Sequence, residues 1–565
     1  MRSSPSFLRS DAPVHRAAPR IALSLGALLA FGACRFDSSE RWLEGSNARL
    51  GDGCVLGTAR CGGVTLERCV DQEEGPRWTL ERVCAEATPV CVASLGRCAV
   101  CAPGVPYCDG QTSVVCGPEG VGGSERTRCE PELGKVCRAG RCNALCAESE
   151  KQRSNVGCEY WAADLDNANV GTTTNAAAQQ FAVVISNPTP DAPVRITITQ
   201  DDGLGDEPTS VRIVAAASIG PKNLQVFKLG PREVDGSPPG EFNTGTHTAK
   251  TRQAYRVVSS LPVVAFQFNP LENVNVFSND ASLLKPVSAL PSYAVGDLHT
   301  AYVVVGWPQT IASTDDPNTN FSAGDPSNLR AFLTLIGTRE QTTVRVRPTT
   351  KVVGGGVIPE TPAGGIIETT LRPYEVLNLE TGGFNADFTG TIVESDGAVV
   401  AFSGSEASDA PFFTTLAERF CCADHLEEQL DPLRTAGRRF VLPKGPSRTK
   451  TLKAAGAFIG VITEPDFFRI VSASHDLTTI KTSLPPPEDT FVLDGMGAFR
   501  SITALQDFVL EADHPVHVGN VSPSQEAAGV KRGLPGGDPS LLVVPPIEQW
   551  RADYVFLTPD RYAFD

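Results

Sequence analysis

Apolar and polar residues alternate along most of the chain from residue 158 onward. The runs 181–185 and 194–198 show the pattern clearly, and they are separated by Asn-Pro and Asp-Ala-Pro turn sequences. A period of two is typical of β-strands that bury one face. Helical periodicity is confined to the stretch around residues 426–433. The pattern predicts an all-β protein.

One segment of this region recurs three times. Residues 257–266 (VVSSLPVVAF) return as 393–402 (VESDGAVVAF) and, more weakly, as 510–519 (LEADHPVHVG). We expect the three segments to form equivalent strands of a tandem repeat. Because alternate side chains of a strand share a face, the pattern predicts that one set of valines points into the core. These are Val264, Val400 and either Val516 or Val518.

Other features repeat in step with these segments. Phe332 and the following 342–344 correspond to Phe468 and 478–480. A leading strand that ends in Pro begins the units at 302–308, 440–443 and 554–559, and a connecting segment closes the units at 280–286, 424–432 and 538–545. Units of about 115–135 residues fit tandem β-sandwich-like repeats. A β-propeller-like closed array, whose blades have about 40–50 residues, is the alternative.

These patterns divide the chain into eight segments. We assign 1–33 to a signal peptide, 34–53 to a linker, 54–99 and 100–147 to two cysteine-rich modules, 148–299, 300–437 and 438–551 to β repeats 1, 2 and 3, and 552–565 to the start of a further repeat or a closing strand. Only six residues follow the strand 554–559, so we expect a fragment cut inside a fourth unit rather than a closing strand.

The cysteines form a duplicated pattern between residues 54 and 146. The first module contains Cys54, Cys61, Cys69, Cys84, Cys91 and Cys98, and the second contains Cys101, Cys108, Cys116, Cys129, Cys137 and Cys142. Modules of this size bury too small an apolar core, so we expect three disulfides within each, in an oxidising compartment. Cys146 and Cys158 would close the stalk onto the β region, and Cys421 and Cys422 are the remaining disulfide candidates. Spacing leaves the connectivity open.

The N-terminus has the layout of a signal peptide. Arginines precede the apolar run 21–33, which has 13 residues and is too short to span a bilayer. Phe31-Gly32-Ala33-Cys34 resembles a bacterial lipobox, in which the cysteine receives the lipid. Removing Cys34 from the 17 cysteines leaves an even number for pairing. We therefore expect lipidation of Cys34 and a location in the bacterial cell envelope, at the outer membrane or cell surface, with secretion as the alternative.

Charge and composition exclude several classes of protein. The chain carries 49 basic and 65 acidic residues and a formal charge of −16, which disfavours nucleic acid as a partner. It has seven histidines and no GxSxG, HExxH, P-loop or dinucleotide-binding motif. The sequence therefore indicates a protein that is not an enzyme and has no cofactor.

Three ordered stretches carry a family resemblance. Residues 371–379 (LRPYEVLNL), 399–404 (VVAFSG) and 424–432 (DHLEEQLDP) resemble the N-terminal domain of IgG Fc-binding proteins, which an animal mucus protein shares with many bacterial envelope proteins. Residues 158–167 and 268–280 look like the bacterial branch, and the resemblance covers roughly residues 158–565. The motif residues in this chain are Asp424, His425, Glu428, Gln429, Leu430 and Pro432.

The resemblance implies a secreted or surface interaction module without enzymatic activity. It does not imply that this chain binds IgG. We expect a non-catalytic adhesion or ligand-binding protein whose partner is a surface protein or a glycan and which reaches the membrane through a lipid anchor. A purely structural surface protein and a calcium-dependent carbohydrate binder are the alternatives.

Two groups of residues in the sequence contain side chains that commonly bind metal ions. Asp164, Asp166, Asn167 and Asn169 form an oxygen-rich run that could hold Ca²⁺, although it lacks the Gly and the terminal Glu of an EF-hand loop. Cys421, Cys422, Asp424 and His425 place four ligand-type groups within five residues. Adjacent cysteines rarely bind one ion, so we interpret the second group as a structural corner and assign no metal to it.

Overall fold

The structure of the chain is a computed structural model. It describes residues 54–168, 175–203, 205, 207–237, 247–272, 276, 278–292, 299–309, 329–383, 385–413, 418–420, 422–552 and 554–555. The predicted signal peptide and linker, Cys34, Asn169, Cys421 and most of the final leading strand lie outside these residues. No helix among the described residues is long and apolar enough to cross a membrane.

Each cysteine-rich module consists of short antiparallel strands. The first contains β1 (Ala59–Gly62), β2 (Thr65–Val70), β3 (Arg77–Val83), β4 (Val90–Val92) and β5 (Arg97–Ala99), and the second contains β6 (Pro106–Asp109), β7 (Thr112–Val115), β8 (Arg126–Arg128), β9 (Lys135–Arg138) and β10 (Arg141–Ala144). In both modules the first cysteine pairs with the third, the second with the fifth and the fourth with the sixth. Both modules therefore have the same covalent frame.

The second module docks on repeat 1. The helix α1 (Leu145–Gln152) follows β10, and the disulfide Cys146–Cys158 ties it to the first strand of the repeat. Arg138 donates two hydrogen bonds, of 2.7 and 2.8 Å, to the carboxylate of Asp191. Val136 is fully buried in the core cluster of repeat 1. A covalent bond, an ion pair and apolar contact therefore fix the stalk to the β region.

Repeat 1 is a sandwich of two sheets that share one long strand. Its strands are β11 (Gly157–Ala162), β12 (Ala182–Ser186), β13 (Val194–Asp201), β14 (Val211–Ile219), β15 (Leu224–Lys228), β16 (Ala249–Thr251), β17 (Tyr255–Asn269) and β18 (Asp280–Leu283). The first half of β17 pairs with β11 and β13, and the second half pairs with β12 and β18. β14 and β15 complete the two sheets.

Repeats 2 and 3 have the same strand order. Repeat 2 contains β19 (Thr300–Val303), β20 (Ala331–Gly337), β21 (Thr342–Arg347), β22 (Ile367–Leu371), β23 (Val376–Glu380), β24 (Ile392–Ser395), β25 (Val399–Ser408) and β26 (Asp424–Gln429). Repeat 3 contains β27 (Gly437–Leu442), the helix α2 (Arg448–Ala454), β28 (Asp466–Ser472), β29 (Leu477–Thr482), β30 (Thr490–Asp494), β31 (Phe499–Ala504), β32 (Phe508–Val521) and β33 (Leu541–Val544). β32 pairs with β27, β28, β29 and β33, as β17 does with its counterparts. In repeat 2 the long strand is divided into β24 and β25.

The all-β class and the tandem sandwich-like repeats predicted from the sequence are confirmed by this topology. The three recurring segments lie on β17, on β24 with β25, and on β32, which hold equivalent places in the three units. No closed propeller is seen among the described residues. Periodicity succeeded here because each unit repeats both its apolar pattern and its turns.

The expected direction of the valines needs correction for repeats 1 and 2. Val264 and Val400 are fully buried, as are Val516 and Val518. However, Val399 and Ala401 pack in the interior of sandwich 2, whereas Val400 belongs to a core cluster shared with repeat 1.

The same holds in repeat 1, where Val263 and Ala265 pack in the sandwich interior. In repeat 3, Val516 and Val518 do face the interior, as predicted. Alternation identifies the inner face only when the other face is exposed, and all ten residues of β25 are buried. The repeats therefore pack on one another through faces that a single sandwich would leave in water.

Two joints connect the repeats. At the first, β16 of repeat 1 pairs with β23 of repeat 2, and Phe332 and Phe402 of repeat 2 enter the core cluster of repeat 1. At the second, the buried guanidinium of Arg469 in repeat 3 donates to Gly306 O at 3.0 Å and to Asp387 Oδ2 at 2.8 Å in repeat 2. The three sandwiches thus form a continuous array.

Candidate functional site

The motif segment forms β26 at the joint between repeats 1 and 2. β26 pairs with β25 on one side, β18 pairs with β17 on one side, and the two remaining edges face each other. Four backbone N–H groups are satisfied by side chains of the opposite strand or its flank: Asn279 N by Asp424 Oδ1 (2.7 Å), Glu427 N by Asp280 Oδ2 (3.1 Å), Gln429 N by Ser282 Oγ (2.7 Å) and Lys285 N by Gln429 Oε1 (2.7 Å). Side chains therefore seal two sheet edges that would otherwise expose unpaired amides.

Lys285 provides the charge at this joint. Its amino group donates to the carbonyl oxygen of Gln429 and to Glu428 Oε1 at 3.3 Å, and Asp431 Oδ1 lies 3.7 Å away. Burial opposes the charged form of Lys285, but the carboxylates of Asp431 and Glu428 outweigh it and raise the pKa of the amino group. Burial raises the pKa of Glu428 to about 7. The motif acid and the lysine thus form a buried ion pair between two repeats.

His425 is placed for packing rather than for acid–base chemistry. Its side chain is fully buried, its ring centroid lies 5.9 Å from that of Phe332, and its Nε2 lies 3.5 Å from Glu427 Oε2. Burial lowers the pKa of His425 to about 3, so the imidazole is neutral at physiological pH. Leu430 is also buried, in the core of sandwich 2. The motif residues on β26 therefore hold the joint together, and none of them faces solvent.

A group of buried acids lies at the same joint, next to β16. Asp166 comes from the connection after β11, Glu233 and Asp235 from the segment after β15, Glu380 from the end of β23 and Glu406 from β25. Oxygen and nitrogen ligand atoms of Asp166, Glu233 and His247 lie within 4.8 Å of one another, and so do those of Asp166, Glu380 and Glu406. We call the side chains of Asp166, Glu233, Asp235, Glu380 and Glu406 the joint acid cluster.

Two cationic side chains accompany the cluster. His247 Nδ1 lies 2.5 Å from Asp235 Oδ2 and 3.8 Å from Asp166 Oδ1. The negative charge of Asp166 is the largest cause that raises the pKa of His247 to about 12, so the imidazole is protonated. Arg330 Nε lies 3.7 Å from Glu380 Oε2. Burial raises the pKa values of Glu233, Glu380 and Glu406 well above the ordinary carboxyl value.

The predicted calcium run is divided between several environments. Asp166 lies in the joint acid cluster, whereas Asp164 Oδ2 accepts from Arg232 N at 2.5 Å. The Asn167 amide donates to Asn269 O at 3.1 Å, and its oxygen accepts from Ser278 Oγ at 2.9 Å. Asn169 lies outside the described residues. The members of this run thus face different partners, and the side chains of Asp164 and Asn167 are already bonded to protein groups.

The structure describes one of the two adjacent cysteines at positions 421 and 422. Cys422 is disulfide-bonded, and Cys421 lies outside the described residues. Asp424 accepts from Asn279 and from His425 N, at 2.7 and 2.8 Å, and burial raises the pKa of its carboxyl well above the ordinary value. A sulfur in a disulfide is no thiolate ligand, so these contacts favour the structural corner inferred from the sequence.

Glu233, His247, Glu380 and Glu406 were not singled out from the sequence. The sequence does mark Glu380 and Glu406 as unusual, because each is an acidic residue within a predominantly apolar or small-residue strand, VLNLE or VVAFSGSEAS. A buried acid requires a partner, and that of Glu380 is the backbone amide of His247 in repeat 1, whereas Glu406 accepts from Arg330 N in its own repeat. Only the three-dimensional structure identifies these partners.

The clefts of the described surface are small. The best-formed one has a volume of about 200 Å³ and is lined by Tyr302, Arg345, Glu394 and Met496, among others. Three further clefts have volumes of about 270 to 310 Å³. These values lie at or below the lower end of small-molecule pockets, which is about 300–1,000 Å³.

Comparison with known families decides the relationship. The sequence profile of the family described as IgGFc binding protein matches residues 280–564, just over half of the chain. The chain belongs to this family. The match begins at β18 and includes both the motif strand β26 and the Lys285 joint. No curated protein and no solved structure matches the chain.

Membership of the IgGFc binding protein family gives the function in outline. The family is of the binding type and is not a known enzyme family. Its domain here follows a disulfide-rich region, which is typical of oxidising compartments. The chain is therefore a surface or secreted protein with a binding-type domain for a protein or glycan ligand.

Proposed function

We propose that the chain is a non-catalytic adhesion or ligand-binding protein of the bacterial cell envelope. The burial of the family motif carries this proposal: Asp424, His425, Glu428 and Gln429 are all engaged within the joint between repeats. Side chains that hold a fold together are not available to a substrate. The ligand is therefore recognised by the outer surface of a rigid array, which agrees with the binding type of the family.

One part of that surface is suited to a protein partner. Phe458 is 99% exposed, and the neighbouring Val461 and Ile462 are also exposed, in the connection between α2 and β28. Large apolar side chains exposed side by side commonly mark interaction sites. Val461 and Ile462 are aliphatic, which favours a protein partner over a glycan partner for this surface.

The remainder of the chain presents this array away from the membrane. Acyl chains on Cys34 would anchor the N-terminus, with about 0.8 kcal/mol per buried CH₂. The two modules, each closed by three disulfides, form a protease-resistant spacer that docks firmly on repeat 1. A metabolic label of fatty acid is expected on the intact chain and not on Cys34→Ser. Label on the Cys34→Ser chain would contradict the anchor.

Binding is tested with the Cys34→Ser chain, which is expected to be soluble. It serves as bait against envelope and host-surface proteins and on a glycan array. We expect saturable binding to a protein, weakened by Phe458→Ser and unchanged by Leu477→Ser, which alters an equally apolar exposed residue on β29. Equal binding by both variants would reject the Phe458 surface, and binding to glycans alone would reject a protein partner. A chain that binds nothing would be a structural surface protein.

A further inference from the structure

The joint acid cluster leaves several buried oxygens without partners. Both carboxylate oxygens of Asp166 are buried and accept no hydrogen bond from a nitrogen or hydroxyl donor of the described residues, and the same is true of Glu380 Oε1, Glu406 Oε2 and Glu233 Oε1. The carboxyl groups of Asp166 and Glu380 are close enough to share a hydrogen bond, but only if one of them carries a proton. A buried polar atom without a partner is destabilising, and a buried charge without one is more so. Native proteins avoid such groups unless a ligand satisfies them.

The two glutamates are held in one orientation by backbone amides. Glu380 Oε2 accepts from His247 N at 2.6 Å, and Glu406 Oε1 accepts from Arg330 N at 2.8 Å. In each carboxylate the other oxygen is the unpartnered one, and a ligand atom of each lies within 4.8 Å of one of Asp166. Backbone amides of two different segments therefore orient two of the three carboxylates that meet here.

The spacing of these oxygens allows a single metal ion to contact all three carboxylates. Two ligands that are each about 2.4 Å from an ion lie no more than about 4.8 Å apart, and Ca²⁺–oxygen distances are about 2.3–2.6 Å. The ligand atoms of Asp166, Glu380 and Glu406 meet this limit. Five carboxyl groups, those of Asp166, Glu233, Asp235, Glu380 and Glu406, also outnumber the cationic side chains of His247 and Arg330 at this cluster.

We propose that the joint acid cluster binds one Ca²⁺ ion, held by Asp166 of repeat 1 and by Glu380 and Glu406 of repeat 2, with Glu233 as a further carboxylate. An all-oxygen donor set selects a hard cation. Mg²⁺ keeps several waters and requires near-octahedral geometry, which a site with fully buried carboxylates disfavours. Zn²⁺ favours nitrogen and sulfur ligands, whereas Asp166, Glu380 and Glu406 supply only carboxylate oxygens.

The bound ion would connect repeats 1 and 2 at the point where β16 already crosses between them. Calcium would then stabilise the joint and fix the relative position of the two sandwiches. This inference is independent of the proposed partner, because the site is buried and does not contact the Phe458 surface.

The test measures calcium on the whole chain. The Cys34→Ser protein is stripped with EGTA, dialysed to equilibrium against ⁴⁵Ca²⁺, and its melting temperature is followed with Ca²⁺, Mg²⁺ or Zn²⁺. We expect one Ca²⁺ per chain with a Kd tighter than about 10⁻³ M, which is the weak limit of extracellular calcium modules. We also expect a higher melting temperature in Ca²⁺ than in equal Mg²⁺.

Variants assign the site. Asp166→Asn and Glu406→Gln should weaken Ca²⁺ binding at least about tenfold, since even outer-shell partners of metals are worth 10–100-fold. Glu427→Gln, a change at a buried acid that instead contacts Gln267, should bind as the parent does. The proposal fails if the parent chain takes up no Ca²⁺ at millimolar concentration or prefers Zn²⁺, and it also fails if Asp166→Asn and Glu406→Gln retain full affinity. Because the parent measurement needs no mutation in the joint acid cluster, a variant that does not fold leaves the test decisive.

Discussion

Replacing Lys285 by Met tests the joint between repeats 1 and 2. The methionine keeps most of the length and apolar volume of the side chain but removes the ammonium group. Glu428 Oε1 then loses its charged donor at 3.3 Å, Asp431 loses its neighbour at 3.7 Å, and the carbonyl of Gln429 loses a hydrogen bond. Removal of one partner from a buried ion pair typically costs about 3–5 kcal/mol, because an uncompensated charge remains.

The cost should depend on pH, and the sign follows from Glu428. Its folded pKa of about 7 lies above the ordinary value of 4.5, so the native state keeps this proton to a higher pH than the unfolded chain does. Stability from this group is therefore fully present below the ordinary carboxyl pKa and is lost as the pH rises towards 7. Without Lys285 the carboxylate becomes still more unfavourable. We expect Lys285→Met to destabilise most at pH 8 and much less at pH 5.

The assay is urea unfolding followed by tryptophan fluorescence, since Trp161 in repeat 1 and Trp307 in repeat 2 are both buried. The double variant Lys285→Met with Glu428→Gln is the matched control, because the neutral amide needs no cation. It should recover part of the loss at pH 8. A loss below about 1 kcal/mol at pH 8, in the range of an exposed ion pair, or a loss that does not change between pH 5 and 8, would refute the reasoning.

Two further perturbations address other contacts in the array. Arg469→Ala should destabilise the joint of repeats 2 and 3 by about 3–5 kcal/mol, because the guanidinium forms a buried ion pair with Asp387. It should also shift the Trp307 emission to the red, because the guanidinium lies 4.7 Å from the centre of the Trp307 ring. Unchanged emission and stability would contradict this role of Arg469. Gly404→Ala should cost at least about 1–3 kcal/mol in a urea titration, because a Cβ would clash with the Leu426 carbonyl and the Phe332 ring. Gly460→Ala, where a Cβ has open space, should cost little, and equal effects would show that the β25–β26 contact is misjudged.

The repeat pattern and the strand content could be predicted from the sequence because both are local properties. Alternation in runs such as 342–347 follows directly from one buried face and one exposed face, as the structure shows for β21. The interior face of β25 could not be predicted, since all its residues are buried. Its second face is covered by another repeat, and single-strand periodicity carries no information about that contact.

The candidate site was predictable only in part for the same reason. Asp166 stood out because it belongs to an oxygen-rich run, and residues 424–432 stood out through the family resemblance. Glu380 and Glu406 are distant from Asp166 in sequence and meet it only when repeats 1 and 2 pack together, whereas His247 meets it through the fold of repeat 1. Likewise, Lys285 looks like an ordinary surface lysine until β18 and β26 face each other.

Hydrogen exchange at β18 and β26 tests most directly whether the family motif seals the joint. A free edge strand leaves roughly every second amide open to solvent, and those amides exchange rapidly. We expect peptides covering 279–285 and 424–430 to be protected throughout, including the amides of Asn279, Glu427, Gln429 and Lys285, which donate to side chains. Rapid exchange of these four amides in an otherwise protected chain would show that the motif does not seal the joint.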